Sequence, residues 1–282
     1  MNFDIKSTIR KLCRQYQIKP LRRRGQNFLI NHNVLNKILE AAELERDDLV
    51  LEIGAGFGFL TRELAKRVKK VIAIEIEKKF IEILKNQLQN YRNIEIIQGD
   101  VLDHECYNAI MLQCYNSCKL VANIPYNITG QVLRRFLLFS SKLKLMVLML
   151  QKEVAERICS RPPRMSLLSV SVQFYSQPKI ISRVAKESFW PKPKVESAIV
   201  KILINKNPPQ INEGRFFSLL RAGFRQPRKY LLNNLVKGAT IKKDKEELKK
   251  ILAEMGKDQK VRPAELSVED WIELYRKLIE IN

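Results

Sequence analysis

The chain has 282 residues, 45% hydrophobic and 29% charged, enough apolar material for one large domain and a smaller one, which excludes a disordered polymer. Lys and Arg number 51 against 30 Asp and Glu, and the resulting +21 favours a polyanionic partner, nucleic acid ahead of an acidic membrane, because each neutralised phosphate releases condensed counterions. The longest apolar run, 136–150, is broken by Lys142 and Lys144, and Met1-Asn2-Phe3-Asp4-Ile5-Lys6 has no apolar core, so neither a membrane span nor a secretory leader is expected.

In chain order, the first 24 residues carry Lys6, Arg10, Lys11, Arg14, Lys19, Arg22, Arg23 and Arg24 against Asp4 alone. They read as a basic arm, partly helical, with Arg22, Arg23 and Arg24 as candidates for RNA contact just before Gly25-Gln26-Asn27-Phe28-Leu29. From about Leu35 to Asn205, strands and helices alternate. Short apolar runs predict strands at Leu49–Ile53, Val71–Glu75, Ile94–Gln98, Leu120–Ala122 and Leu145–Leu150. Helices are expected over about Phe59–Arg67, along Phe80, Ile83, Leu84 and Leu88, and over Ile128–Phe139. Leu167–Tyr175, Lys179–Val184 and Val195–Ile204 then follow without intervening helices and are expected to finish the sheet as antiparallel strands. The fold class is therefore α/β, a Rossmann-like sheet, mostly parallel with antiparallel end strands.

Paired prolines in Lys206-Asn207-Pro208-Pro209-Gln210 mark a boundary. Beyond it Phe216 to Phe224, Leu248 to Met255, and Ser267 with Asp270 ahead of Trp271 all read as helical, the last with a capping box. The expected organisation is an arm over 1–24, a domain over 25–206 and a small all-helical domain over 207–282. The five cysteines, an odd number without paired spacing, argue against a disulfide framework, and Cys114 with Cys118 lacks a second ligand pair for zinc. Reduced thiols, no bound metal and a cytoplasmic location are expected.

The candidate cofactor site begins at Glu52-Ile53-Gly54-Ala55-Gly56-Phe57-Gly58, a strand end followed by a G-x-G-x-G turn. Glycine lets backbone approach a ligand closely. Glu75 ends the next strand, about 20 residues on, where a carboxylate accepts ribose hydroxyls. Asp100 ends the one after, placed for an adenine amino group. Parallel sheets bind ligands at the carboxyl ends of their strands, so Gly54, Gly56, Glu75, Asp100 and Asn123 fall along one edge. The cofactor reads as S-adenosylmethionine, with NAD the weaker choice because no second nucleotide half is visible.

Asn123-Ile124-Pro125-Tyr126 is the candidate catalytic segment. Methyl transfer to an aromatic amine must overcome delocalisation of the nitrogen lone pair. The Asn123 side-chain oxygen and the Ile124 carbonyl are acceptors that favour a tetrahedral, positively charged nitrogen. Pro125 fixes the turn without adding a donor, and Tyr126 offers a ring for stacking. Phe189, in the proline-stiffened Phe189-Trp190-Pro191-Lys192-Pro193, is a second ring for the other face of the base. A core phenylalanine is the alternative. His32 and His104 are assigned no role.

These motifs, with Phe189 to Ser197, resemble those of the ribosomal RNA adenine dimethyltransferases, and the resemblance covers nearly the whole chain. It implies a class I methyltransferase fold, S-adenosylmethionine contacts from Asn27, Leu29, Gly54, Glu75, Asp100 and Asn123, and stacking of the target adenine by Tyr126 and Phe189. It also implies a monomer. One branch of that family methylates two adjacent adenines in a hairpin near the end of small-subunit RNA, on the maturing small ribosomal subunit. The other methylates large-subunit RNA. Gly25, Phe224-Arg225-Gln226-Pro227-Arg228-Lys229 with Asn233-Asn234-Leu235, and Arg262 to Ser267 with Trp271 resemble the first branch. Arg221, Arg225, Arg228 and Lys229 are accordingly the phosphate-contact candidates of the helical domain. Pro227, where another basic residue is common, and Gly130-Gln131 depart from the family pattern. An RNA-binding factor without catalysis and a DNA adenine methyltransferase remain as other classes.

Overall fold

A computed structural model describes residues 4–21, 25–114, 118–138, 142–236 and 244–279. Arg22, Arg23 and Arg24 lie outside these described residues. Two compact units emerge: Met1–Ala155 with Gln177–Lys206, and Glu156–Ser176 with Asn207–Asn282. The N-terminal segment belongs to the first unit and 156–176 to the second, which departs from the expected boundaries at both places.

The first unit is built on a seven-stranded sheet of β2 (Leu49–Ile53), β3 (Lys70–Glu75), β4 (Ile94–Gln98), β5 (Cys118–Asn123), β6 (Leu143–Gln151), β7 (Ser176–Val184) and β9 (Ser197–Ile204). Its order is β4-β3-β2-β5-β6-β9-β7. Strands β4 through β6 pair in parallel, whereas β9 runs antiparallel to β6. Central strands covered on both faces read as continuous apolar runs, and β6 is buried from Leu145 to Leu150. Helices α2 (His32–Ala41) and α3 (Phe59–Ala65) contribute Leu35, Ile38 and Leu64 to one core cluster, and α4 (Lys78–Gln87) contributes Ile81 and Leu84 to another. Helices α5 (His104–Gln113) and α6 (Thr129–Leu138) complete the crossovers, and a two-residue strand β1 (Phe28–Leu29) pairs antiparallel with β8 (Phe189–Trp190).

The first helix, α1 (Ile5–Gln15), is not a free arm. Asp4 caps it, and Ile5, Ile9 and Leu12 are buried against Phe57, Phe80 and Ile83. Eleven residues are too few for a stable isolated helix in water, so this apolar face is what orders the segment.

Leu167–Tyr175, expected as a strand, is helix α8, which follows α7 (Lys152–Ile158). A short apolar run does not distinguish a buried strand from a buried helix. Here the decision comes from Ser166, whose hydroxyl accepts from the Ser169 N–H while the Ser169 hydroxyl accepts from the Ser166 N–H, closing a capping box. Phe174 then stacks on Phe216 with ring centroids 4.8 Å apart. The second unit is otherwise α9 (Glu213–Gly223), α10 (Leu231–Val236), α11 (Lys245–Glu254) and α12 (Val268–Ile279). The Ser267–Asp270 capping box forms at the start of α12, with Asp270 N–H donating to Ser267 Oγ at 3.1 Å.

Gly223 is the tightest point of this unit. A Cβ there would stand 2.4 Å from the buried Trp271 ring and 3.0 Å from Leu231. Alanine is intrinsically the better helix former by about 1 kcal/mol, but overpacking costs about 1–3 kcal/mol. Gly223→Ala is therefore expected to lower the unfolding midpoint in a denaturant titration. An equal or higher midpoint would show that the indole gives way.

Candidate active site

A cleft of about 530 Å³ opens along the carboxyl ends of β2, β3, β4 and β5. It collects Asn27, Gly54, Gly56, Glu75, Asp100, Asn123 and Pro125, residues spread over almost a hundred positions. A smaller chamber of about 60 Å³ adjoins it, lined by Leu29, Glu52, Gly54, Gly56 and Asn123 among others.

The Glu75 side chain is only 6% exposed. One carboxylate oxygen accepts from the Gly56 N–H at 2.9 Å, the other from Ile76 N–H at 2.8 Å and Glu77 N–H at 3.0 Å. Burial raises its pKa, and the backbone donors pull it partly back. A carboxylate offers about four lone-pair sites, so capacity remains for a ligand hydroxyl. Gly56 has φ +54 and Gly54 φ +74, left-handed conformations natural to glycine. A Cβ on Gly56 would come within 3.2 Å of the Phe28 ring, which lines the same cleft.

Asp100 is exposed at the cleft rim, with Oδ1 accepting from the Leu102 N–H at 2.8 Å. Asn123 ends β5 and donates from Nδ2 to the Asn27 carbonyl at 3.0 Å. That bond fixes the side-chain amide and leaves Oδ1 as the available acceptor. Ile124 is buried, so only its backbone is available for chemistry. Tyr126 is half-buried and shares a 2.7 Å hydrogen bond with Ser197 Oγ. Phe189 is placed differently from the stacking expectation. It is 3% exposed, pairs with Leu29 between β8 and β1, and belongs to the core cluster rather than the cleft wall.

Sequence reasoning quoted Glu52 in its motif without giving it a role, and underread Gly25. Gly25 has φ +68, and a Cβ there would meet the Tyr126 N at 3.2 Å and Pro125 Cβ at 3.3 Å. The 25–29 segment therefore packs directly on the candidate tetrapeptide Asn123–Tyr126. Gly130, by contrast, has nothing within 4 Å of a built Cβ, so that departure from the family pattern is not sterically demanded. Glu52 is 2% exposed, and its Oε2 has no hydrogen-bond partner. Desolvation pushes its pKa up to about 8, the nearby Thr61 hydroxyl lowers it, and the Glu75 charge raises it. The two acids one strand apart are thus both pushed up by burial, and only Glu75 has backbone donors on both oxygens to pull it back.

In the second unit Arg221, Arg225, Arg228 and Lys229 are all exposed at or after the end of α9. The buried Asn234 amide donates to the Gly223 carbonyl at 2.6 Å and the Gln226 carbonyl at 3.0 Å, fixing the loop that carries them. Cys114 and Cys118 are buried free thiols with sulfurs 2.9 Å apart. Among the described residues no group of His, Cys, Asp or Glu is arranged to hold a metal, and no helix is long and apolar enough to cross a membrane.

The pattern of the family described as ribosomal RNA adenine dimethylase matches residues 19–279. The chain belongs to this family. A ribosomal RNA small subunit methyltransferase A from Dehalococcoides mccartyi is 41% identical over 267 residues, covering 94% of this chain and 90% of its own length. Among solved structures, a dimethyladenosine transferase from Plasmodium falciparum is similar at TM-score 0.76 and 28% identity, covering 88% of this chain and 95% of that one. The 23S rRNA methyltransferase ErmE follows at TM-score 0.71 and 26% identity, covering 89% of this chain and 99% of that one. Both similarities extend over nearly nine-tenths of this chain.

The Glu52 environment sets a pH dependence. The folded carboxyl keeps its proton up to about pH 8, whereas an unfolded glutamate releases it near about 4.3, so the folded state binds more protons between those values. The stabilising contribution is full below the unfolded pKa and is lost as pH rises through the folded one. Glu52→Gln is expected to remove this decline, so that its stability gains on wild type as pH rises from about 4 to about 8, by roughly 5 kcal/mol at most, and no further above that. Parallel melting curves across pH check it, and identical slopes would refute the assignment.

Proposed function

We propose that the protein dimethylates the exocyclic 6-amino group of two adjacent adenosines in a hairpin near the 3′ end of small-subunit ribosomal RNA, using S-adenosylmethionine during ribosome biogenesis. The observation that carries the reading is Asn123. Its amide is pinned by the Asn27 carbonyl at 3.0 Å, beside a glycine turn whose Gly56 N–H is held by Glu75. Its free oxygen is thereby preorganised as an acceptor at the end of a nucleoside-sized cleft.

The residues present fit the cofactor: a glycine cradle that a Cβ on Gly56 would crowd, a buried Glu75 with spare acceptor capacity and a rim Asp100. Asn27, Leu29, Gly54, Gly56, Glu75, Asp100 and Asn123 would hold it. When bound it supplies a methyl group on a sulfonium, an electrophile that needs no further activation. Asn123 Oδ1 and the Ile124 carbonyl then take the amine hydrogens and favour the positive nitrogen that forms. Pro125 fixes the turn and adds no donor to compete for those carbonyls. Tyr126, braced by Ser197, supplies the stacking face. The proton leaves after transfer, so positioning contributes most of the acceleration and no strong general base is required. The target adenine must leave its helix to reach the cleft, as is general for chemistry on a base. Arg221, Arg225, Arg228 and Lys229 contact phosphates, on a loop ordered by Asn234. Arg22, Arg23 and Arg24 are assigned the same role. The site of action is the immature small subunit in the cytoplasm, with the protein acting as a monomer.

The small-subunit branch rests on relatives such as the D. mccartyi protein and on the tail motifs. The ErmE likeness favours a second reading, methylation of large-subunit RNA. Labelled S-adenosylmethionine offered with unmethylated small ribosomal subunits, large-subunit RNA and adenine-containing DNA separates them. Label recovered as dimethyladenine in small-subunit RNA is expected. Label in large-subunit RNA would move the protein to the other branch, and none anywhere despite cofactor binding would indicate a binding factor.

Asn123→Ala is expected to reduce turnover by roughly a hundredfold or more while changing cofactor affinity far less. Single-turnover rates beside equilibrium cofactor binding test this, and equal losses in both would make Asn123 a cofactor residue first. Asn234→Ala should weaken RNA binding without touching cofactor affinity, since its bonds fix only the basic loop. Filter binding compared with cofactor titration reads that difference.

A further inference from the structure

The outer face of α1 carries more charge than its stability calls for. Lys6, Arg10, Lys11 and Arg14 are all exposed, and none has a carboxylate partner among the described residues. Asp4, the acid at this end, is occupied as the helix cap, accepting from the Lys6 N–H. Lys6 with Arg10 and Arg10 with Arg14 are like-charge pairs at i,i+4, each destabilising an isolated helix by about 0.2–0.5 kcal/mol. Two other helices of the chain offset cations with an acid. Glu63 on α3 pairs with Lys66 and Arg67, and Glu246 on α11 pairs with Lys249. A face kept only for solvation would mix signs in that way, as those helices do.

The opposite face ties this charge to the cleft. Ile5, Ile9 and Leu12 pack in a cluster with Phe28, Phe57 and Phe80. Phe28 and Phe80 also line the cofactor cleft, and Ile5 lines the chamber shared with Glu52 and Asn123. At the end of the helix, Lys79 of α4 donates to the Gln17 carbonyl at 3.1 Å and Asn86 donates to the Tyr16 hydroxyl at 2.8 Å. The cations therefore stand on a rigid mount that forms the back of the active-site wall. From Lys6 to Arg14 the helix rises about 12 Å, enough to face more than one backbone phosphate.

We propose that this cation face of α1 is an RNA phosphate-docking surface that fixes the substrate backbone beside the cleft. It deepens the function proposed above and rests on it for the identity of the polyanion. Phosphate contacts position without reading sequence, which suits a preformed helix face bearing long cationic side chains.

The test compares Arg10→Gln/Arg14→Gln with a charge-matched control, Lys69→Gln/Arg92→Gln, both pairs being exposed on the same unit. Binding of labelled small-subunit RNA is measured across a salt series, together with cofactor binding and thermal melting. Every phosphate that is no longer neutralised should reduce the slope of log affinity against log salt by roughly 0.7–0.9. The α1 variant is expected to bind RNA several-fold more weakly with a slope shallower by about 1.5, with cofactor affinity unchanged and melting unchanged or raised. The control should alter the slope little. Equal weakening in the two variants would mean that only total charge matters and would overturn the proposal, as would unchanged binding in both. These outcomes are independent of methyl transfer by the wild-type protein. Absence of that transfer would defeat the functional reading instead.

Discussion

One carboxylate organises the active cleft. Glu75, at the end of β3, accepts backbone N–H groups from Gly56, Ile76 and Glu77. A buried charge is costly unless hydrogen-bonded, and these three donors offset part of its desolvation. In return the bond to Gly56 draws the turn after β2 toward β3 and sets the cradle. Gly56 must take a left-handed conformation for its N–H to point that way, and Phe28 leaves little room for a side chain there.

The second acid of this region is governed by the same physics with the opposite result. Glu52 points into a small chamber where one of its oxygens finds no donor. Burial and the Glu75 charge together favour its protonated form. Two carboxyls on adjacent strands thus differ in environment, one with backbone donors that favour its anion and the other buried with an oxygen unpaired. The protein's large positive charge lies elsewhere, on exposed helices and loops.

The candidate catalytic tetrapeptide depends in turn on a distant piece of chain. Asn27 holds the Asn123 amide across a sequence separation of 96, and Gly25 lies against Pro125 and Tyr126. The segment 25–29 is itself anchored on one side by β8 and on the other by the aromatic cluster beneath α1. The geometry of residues 123–126 therefore rests on packing of the 25–29 segment as much as on β5.

Much of this was legible in the sequence. Parallel strands were visible as apolar runs because both sheet faces are covered, and Gly54, Glu75, Asp100 and Asn123 came into register because each stands at or just past a strand end. Burial and partner choice were not legible. A basic arm and a docked amphipathic helix share one composition, and only the aromatic cluster under Ile5, Ile9 and Leu12 decided for the helix. Leu167–Tyr175 had the residues of a strand, and its capping box and packing on Phe216 made it a helix. Phe189 carried the right motif but lies in the core behind Leu29. The sequence alone determined which chemical groups stand at strand ends, since that follows from local periodicity and chain order. The tertiary structure decided which of them are dry, paired or free, because desolvation and hydrogen bonding depend on neighbours that no local pattern specifies.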